Sequence, residues 1–592
     1  MIDFRTATEP LSPRQRVLVA DAAVIVLVIR IWGLARSPWD WDEILFSLAM
    51  RDYNVALHHP HPPGFPLFIG AAKLLRFAGL DDFRALQALN VIGAALLVPA
   101  MFLFCRELRF RFSTSLVAAL VFAFFPNVWF FGETAFSDVP AVVLVVLACA
   151  FLLRGCRSSK ALLLGAILLG VSAGFRPQNL VVGLIPAAIA AWHQLRAREA
   201  LQVIAAASLC AIIAVGSYWA AAVATGGWGP YLESLRNHQE YITRVDSFRS
   251  DIRPTLSRVS DDFFVRPYRA PIINYAICLF AAISAVTAIA RLRWSVLIAI
   301  ATFAPFAISA WLILDFLSAS RFSIGYAPMI AILTADGIAL LARRVAIESV
   351  LAGLLIGAMI FWTAPAVRIP SVQSSPPVQA AAWIRANVDP HSVLYVHRRL
   401  RPFAEYFLPQ YRLEWKSEPT IAALDTKSAF YLKEGTSAIP GTRTFFWPHG
   451  NLWNLTRRRY FEVSVVPLTG IRFGDGWYGE EKQSGHAWRW MGRRGVVDLP
   501  PTDSSAKLRF RLFIPDHATI SVRFNGRLLD TIDADRITVD REYSLTPRAD
   551  AVNQLTIETD AVVNPRAAGL GNDPRDLGAR LDQLEWILVD AP

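Results

Sequence analysis

Two stretches just outside the first long apolar run carry side chains that do chemistry. Trp39-Asp40-Trp41-Asp42-Glu43 sets three carboxylates between bulky rings, and His58-His59-Pro60-His61-Pro62-Pro63-Gly64-Phe65-Pro66 follows it. Carboxylates and imidazoles move protons or hold cations, and ionisable groups gathered at a membrane boundary are costly to desolvate, so a site explains them better than packing does. A solvated loop with aromatic anchors is the plain alternative. The prolines around His61 favour a site, because they fix an extended backbone that can hold side chains rigidly. Arg176 and Arg321 are expected at the outer ends of apolar runs, where a guanidinium can offer paired hydrogen bonds. For either alone, snorkelling to headgroups is the competing reading. Glu133 and Asp138 border an external turn, where they could line a cavity or cap a helix; capping suits Asp138, just before Val139-Pro140. Asp336 sits inside an apolar run with no evident role.

The elements that must position these residues are membrane helices. Of 592 residues, 54% are hydrophobic and only 18% charged, and the apolar residues fall in long blocks between Val17 and Val367. Runs near the ~20 residues that cross a bilayer predict about eleven spans, the first being Val17–Leu34, with others such as Ala85–Phe104, Ser113–Phe131, Val139–Leu153 and Phe322–Leu341. The first run contains Asp21 and Arg30 and lacks a small-residue cleavage site, so it is expected to be retained rather than removed as a signal peptide. Gly64–Leu80 is apolar but short and carries Lys73 and Arg76, which predicts a helix lying at the outer interface.

The net charge of +11 belongs to topology rather than to nucleic acid. Arg14 and Arg16, Arg106, Arg109 and Arg111, Arg154, Arg157 and Lys160, Arg196 and Arg198, Arg291 and Arg293, and Arg343 and Arg344 all alternate onto one side, expected to be cytoplasmic. The N-terminus then lies in the cytoplasm, while the Trp39–Arg84 loop, the Thr225–Ala270 loop and everything after Pro370 lie outside. Cys105, Cys149, Cys156, Cys210 and Cys278 lie in or beside apolar segments, and no disulfide framework is implied.

Past Pro370 the pattern becomes that of folded polar domains. The amphipathic Pro377–Val388 and the strand-like Ser392–His397 predict a small α/β region over 370–470. Period-two runs at Lys507–Phe513, Ala518–Phe524, Gly526–Ile532 and Asn553–Thr559, broken at Pro515-Asp516 and Asn525-Gly526, predict a β-sandwich over 471–592. Trp477, Tyr478, Trp488 and Trp490 are candidates for stacking on sugar rings, with core filling as the competing and slightly favoured reading. The fold class expected is a mostly α polytopic membrane protein, its transmembrane domain over 1–369, with a C-terminal extracytoplasmic α/β plus β-sandwich region.

An Asp-Glu pair after the first span, then a histidine and double-proline segment leading into an amphipathic helix, resembles GT-C superfamily glycosyltransferases such as protein O-mannosyltransferases and aminoarabinose transferases. Glu133-Thr134-Ala135-Phe136-Ser137-Asp138-Val139-Pro140, Gly174-Phe175-Arg176-Pro177-Gln178 and Arg321-Phe322 extend the resemblance over most of Met1–Pro370. It implies a sugar carried on a polyprenyl phosphate, an extracytoplasmic glycan, lipid or protein acceptor, inversion at the anomeric carbon, and a bacterial-type inner or plasma membrane. Under it Asp42 is the candidate general base, and Glu43 its orienter, a secondary base or a metal ligand. Asp40 is held in reserve, and Asp40, Glu133 and Asp138 border the acceptor cavity. On a helix the Asp42 and Glu43 side chains would diverge by about 100°. Arg176 and Arg321 would hold the donor phosphate. His58, His59 and His61 would assist it by hydrogen bonding; they are also of metal-ligand type, but no His-Glu-x-x-His spacing is present, so no cofactor is required and a divalent metal remains an alternative. The rival classes are a transporter or flippase of a lipid-linked or anionic substrate, for which no paired interrupted helices are found, and a non-catalytic membrane protein that binds envelope glycan.

Overall fold

The computed structural model describes residues 4–342, 344–415, 420–422, 429–437, 441–468, 471–483 and 486–589. Arg343, one of the arginines assigned to the cytoplasmic side, lies outside the described residues. The chain divides into two compact units, Met1–Ser375 with Trp447–Arg459, and Pro376–Phe446 with Tyr460–Pro592.

The first unit is helical, and the chain is an integral membrane protein. Among the described residues six helical stretches are long and apolar enough to cross a bilayer: Asp82–Glu107, Ala200–Ala224, Pro271–Ala290, Trp294–Ile313, Phe316–Ala342 and Val345–Asn387, the last running on past the end of this unit. This is fewer than the eleven or so expected, and the reasons are local. The first apolar run does form a 20-residue helix, Pro13–Trp32, but Arg16, Asp21 and Arg30 make it polar for a lipid-facing span. Arg30 is fully buried in protein, donating to the Ala123 carbonyl with its guanidinium 5.8 Å over Trp129. Ser113–Phe131 is two helices, Phe112–Phe124 and Pro126–Phe131. Phe125 takes ψ 130° ahead of Pro126, the extended backbone that a following proline ring enforces. The expected interfacial segment is the 11-residue helix Pro66–Arg76, about 16 Å long and too short to span. It buries Phe68, Ile69 and Ala72 and leaves Leu74 and Phe77 exposed.

Several arginines assigned to the cytoplasmic side are paired with buried acids. Glu107 accepts from Arg154 (2.9 Å) and Arg157 (2.8 Å), and Glu348 accepts from Arg111 (2.6 Å). Asp336, for which the sequence suggested no role, accepts from Arg293 Nη1 (2.6 Å), Arg293 Nη2 (2.7 Å) and the Ser284 hydroxyl (2.7 Å). The two hydrogen bonds of one guanidinium compensate a carboxylate that sits among apolar helices.

The second unit is β-rich. A five-stranded sheet has Val393–Val396 parallel to Arg412–Trp415 and Ala429–Glu434, and continues antiparallel through Glu462–Pro467 to Arg443–Phe446. Two further sheets contain the strands Ser505–Phe513, Ala518–Phe524, Arg527–Ala534 and Asn553–Thr559, where period-two patterning placed them. Alternate residues Ala518, Ile520, Val522 and Phe524 face a core that includes Phe510, Leu555 and Trp586. Asn525 and Gly526, at φ 51° and 83°, make the tight turn between two of these strands, a left-handed pair that asparagine and glycine adopt readily.

Candidate active site

The acidic stretch folds as the start of the helix Trp41–Arg51. Asp40 is its N-cap, accepting from the Asp42 amide (3.0 Å), and the Glu43 carboxyl accepts in turn from the Asp40 amide (3.2 Å), a capping box. Glu43 also accepts from the amides of Trp39 (2.9 Å) and Ala135 (2.7 Å), so its fully buried carboxyl ties the helix start to the turn after Phe131. Burial pushes the Glu43 carboxyl up to about 8, against the downward pull of the amides of Ala135 and Trp39. Asp40 is buried too, and burial followed by the neighbouring Asp42 charge raises it. With both oxygens committed to backbone amides, Glu43 is a fastener of the site, and the divergence expected between Asp42 and Glu43 separates their surroundings.

Asp42 instead faces a chain of alternating charges. Its Oδ2 pairs with Arg321 Nη1; Arg321 Nε donates to Asp138 Oδ2 at 3.0 Å, and Arg176 Nη2 donates to the same oxygen at 2.8 Å. Four charged groups from four separate elements thereby meet: the Trp41–Arg51 helix, the turn Ala319–Phe322, the first residue of Asp138–Arg154, and the C-terminal cap of Ser159–Phe175. Arg321 lies 4.2 Å over Phe136, Arg176 lies 5.6 Å over Phe65, and Arg176 Nε donates to the Ser137 hydroxyl (3.0 Å). Asp138 bridges the two arginines; the N-cap of its helix is Ser137, which makes no side-chain cap bond. Asn127 braces the Arg321 turn by donating to the Ser320 carbonyl (2.8 Å) and the Ser323 hydroxyl (2.9 Å). Burial alone would raise the Asp42 carboxyl, but His61 and Arg321 outweigh it and hold the carboxyl below the usual carboxylate range.

Among the three histidines, His61 is the one brought to the cluster. Its Nδ1 is 3.6 Å from Asp42 Oδ1, buried and without a hydrogen-bond partner, and its ring packs on Phe46 and Phe65. Burial lowers His61 to about 4 despite Asp42, so the ring is neutral at physiological pH. The loop holding it is pinned by the Tyr53 hydroxyl, which donates to the Gly64 carbonyl, and the Tyr231 hydroxyl, which donates to the Pro63 carbonyl, both at 2.9 Å. His59 lies against Asp52 (3.7 Å), and His58 is an exposed helix cap at φ 62°. His238, from the helix Trp228–Tyr241 in the long loop after Ala200–Ala224, has its ring 6.5 Å from that of His61. It was missed because nothing local in that loop marks it.

Glu133 does not join the cluster. It is buried, accepts from Trp129 Nε1 (2.5 Å), and sits so close to Gly33 that a Cβ there would come within 2.2 Å of its carboxylate. In the second unit Trp477 is half-buried against Phe473 and the strand core. The Tyr478 hydroxyl donates to the Asp576 carbonyl, and Arg575 lies over its ring. Trp488 and Trp490 share Arg580, 5.4 and 5.8 Å from their rings. The last two therefore already carry a cation.

Among the described residues no group of three or more His, Cys, Asp or Glu side chains is placed to hold a metal. The residues around Asp42 do not fit one either, since the Arg321 guanidinium occupies the position between the Asp42 and Asp138 carboxylates where a cation would be bound.

No protein-family model matches the chain. Among curated proteins it is similar to the Dol-P-Glc:Glc(2)Man(9)GlcNAc(2)-PP-Dol alpha-1,2-glucosyltransferase of Yarrowia lipolytica, 29% identical over 135 residues, 22% of this chain and 26% of that protein. The chain thus matches about a quarter of the length of this curated relative. Among solved structures it is similar to the oligosaccharyltransferase of Archaeoglobus fulgidus, with a TM-score of 0.41 and 13% identity over 67% of this chain and 64% of that one. It is also similar to ArnT from Cupriavidus metallidurans bound to undecaprenyl phosphate, with a TM-score of 0.46 and 12% identity over 77% of this chain and 98% of that one. The proteins to which the chain is similar are GT-C glycosyltransferases.

Proposed function

We propose that the chain is an inverting glycosyltransferase that moves a sugar from a polyprenyl-phosphate donor to an extracytoplasmic acceptor. The observation that carries this reading is the meeting of Asp42 with Arg321, 279 positions apart, in one buried cluster with Asp138 and Arg176. The cluster provides a carboxylate for a proton and guanidinium groups for a phosphate, side by side.

In the reaction the acceptor hydroxyl oxygen attacks the anomeric carbon, its proton passes to an Asp42 oxygen, and the bond from that carbon to the phosphate oxygen breaks. The bonding electrons leave on the polyprenyl phosphate, which Arg321 and Arg176 receive through N–H groups. Arg321 Nη2 and Arg176 Nη1 hydrogen-bond to nothing among the described residues and are the first to meet it. Arg321 also couples the two halves of the reaction. While it pairs with Asp42 that carboxylate is a weak base, and a phosphate that draws the guanidinium away raises Asp42 towards a more useful one. Neutral His61, with its unfilled Nδ1, is placed to hydrogen-bond a sugar or acceptor hydroxyl. Asp40 and Glu43 set the helix start, and the polar unit of Pro376–Phe446 with Tyr460–Pro592 lies outside the membrane and guides the acceptor.

The test is Asp42→Asn in purified protein supplied with polyprenyl-phosphate sugar. Transfer should be abolished while polyprenyl-phosphate binding persists; transfer at the wild-type rate would remove Asp42 from the base role.

A further inference from the structure

The segment Trp447–Arg459 packs with the membrane-spanning unit, although the strands flanking it, Arg443–Phe446 and Glu462–Pro467, belong to the other. Three polar contacts seat it. Trp447 Nε1 donates to the Ser374 carbonyl (2.9 Å), Asn451 Nδ2 donates to the Trp362 carbonyl (2.8 Å), and Arg457 Nη2 pairs with Asp315 Oδ2 (2.7 Å).

Asp315 is buried and is itself a cap. Its Oδ1 accepts from the Leu317 amide (3.0 Å) and its Oδ2 from the Ser318 hydroxyl (2.9 Å), fixing the turn Phe316–Ser318 that runs directly into Ala319–Phe322 and Arg321. On the other side of Asp315, Arg253 holds the end of Trp294–Ile313 by donating to the carbonyls of Trp311 (2.7 Å), Leu312 (2.6 Å) and Leu314 (3.2 Å). The short connection that delivers Arg321 is therefore gripped by two arginines from distant parts of the chain. Arg457 supplies the opposite charge that compensates the buried Asp315 carboxylate where it caps the turn.

We propose that Arg457 is a positioning residue for sugar transfer: acting through Asp315, it sets the turn that carries Arg321, so the phosphate-binding arginine is in place only while the Trp447–Arg459 segment is seated. The inference rests on the reading of Arg321 as the donor-phosphate residue. It makes a segment from the polar half of the chain part of the donor site. A displacement of about 1 Å in a positioning group can cost up to ~100-fold in rate, so loss of the Asp315 grip should be visible in kinetics.

The experiment uses the full-length protein with Arg457→Gln, Arg457→Lys, Asp315→Asn and the Arg457→Gln/Asp315→Asn double variant. Arg457→Gln should lower kcat/KM for polyprenyl-phosphate sugar about tenfold and leave the acceptor KM within about twofold. Arg457→Lys should recover part of the loss, and the double variant should be no worse than the poorer single one, because both break one link. Wild-type donor kinetics in Arg457→Gln, equal losses for donor and acceptor, or losses that add in the double variant would each overturn the proposal. Amide hydrogen exchange over 316–323 gives a second readout that needs no turnover. It should quicken in Arg457→Gln, and unchanged exchange would overturn the link. A wild-type protein inactive with every polyprenyl-phosphate sugar, with exchange still quickened in Arg457→Gln, would count against the proposed function and leave the link from Arg457 to the turn standing.

Discussion

Replacing Arg321 by lysine keeps the positive charge and removes the fork. The guanidinium gives Nε to Asp138 at 3.0 Å, pairs through Nη1 with Asp42, and lies over Phe136 at 4.2 Å. An ammonium on a flexible stem is a point charge; it can serve one of these carboxylates at a time and does not stack as a plane. One charge-assisted hydrogen bond is then lost, about 1.5–3 kcal/mol. At ~1.4 kcal/mol per decade this is roughly 10- to 150-fold in kcat/KM. Arg176 still compensates Asp138 through its 2.8 Å bond, so the fold should survive. The assay is the initial rate of sugar transfer from a labelled polyprenyl-phosphate sugar, varied in donor at fixed acceptor, then in acceptor at fixed donor. The loss should fall on the donor. Arg321→Lys within about threefold of wild type, or a loss confined to the acceptor KM, would refute the reasoning that the fork holds the leaving phosphate.

Acid should destabilise the protein through His61. Its folded value of about 4 lies below its ordinary 6.5, so the folded chain binds fewer protons between these values, and the stability from the neutral ring, present above pH 6.5, is lost as pH falls towards 4. Melting temperatures at pH 7 and pH 4.5 should differ more for wild type than for His61→Asn. Asp336→Asn leaves Arg293 without its paired carboxylate and should cost about 2 kcal/mol. That is below the 3–5 typical of a broken buried pair because Arg293 is partly exposed. Thermal unfolding should record this cost, while transfer kcat changes by less than about twofold, since the hydrogen-bond partners of Asp336 among the described residues are Ser284 and Arg293, outside the Asp42 cluster.

Local structure was largely legible where neighbouring residues decide it. The helix Pro66–Arg76, the alternating strand Ala518–Phe524 and the Asn525-Gly526 turn each follow from patterning over a few residues. Asp40 and Glu43 also carried a local signal, since a carboxylate three residues before a glutamate is capping-box spacing, and that reading accounts for Glu43 better than catalysis does. The break at Phe125 was likewise written in Pro126. Pairing across the chain was not legible. Nothing near Asp138 announces that Arg321, 183 positions later, takes the oxygen a helix cap would have used. His238 and Arg457 carry no local signal that names their partners, so only the assembled fold brings them to His61 and Asp315. The span count among the described residues is below the expected one because charge inside a helix, as at Arg30 in Pro13–Trp32, and interruption by proline, as at Pro126, dilute or shorten the apolar stretch while the helices still form.

The most direct test is a structure of the protein with a polyprenyl phosphate bound. The account predicts the phosphate within hydrogen-bonding distance of the Arg321 guanidinium, with Asp42 released from that arginine and open towards the sugar's place. A phosphate bound away from Arg321 and Arg176, with the Asp42–Arg321 pair still closed, would contradict it.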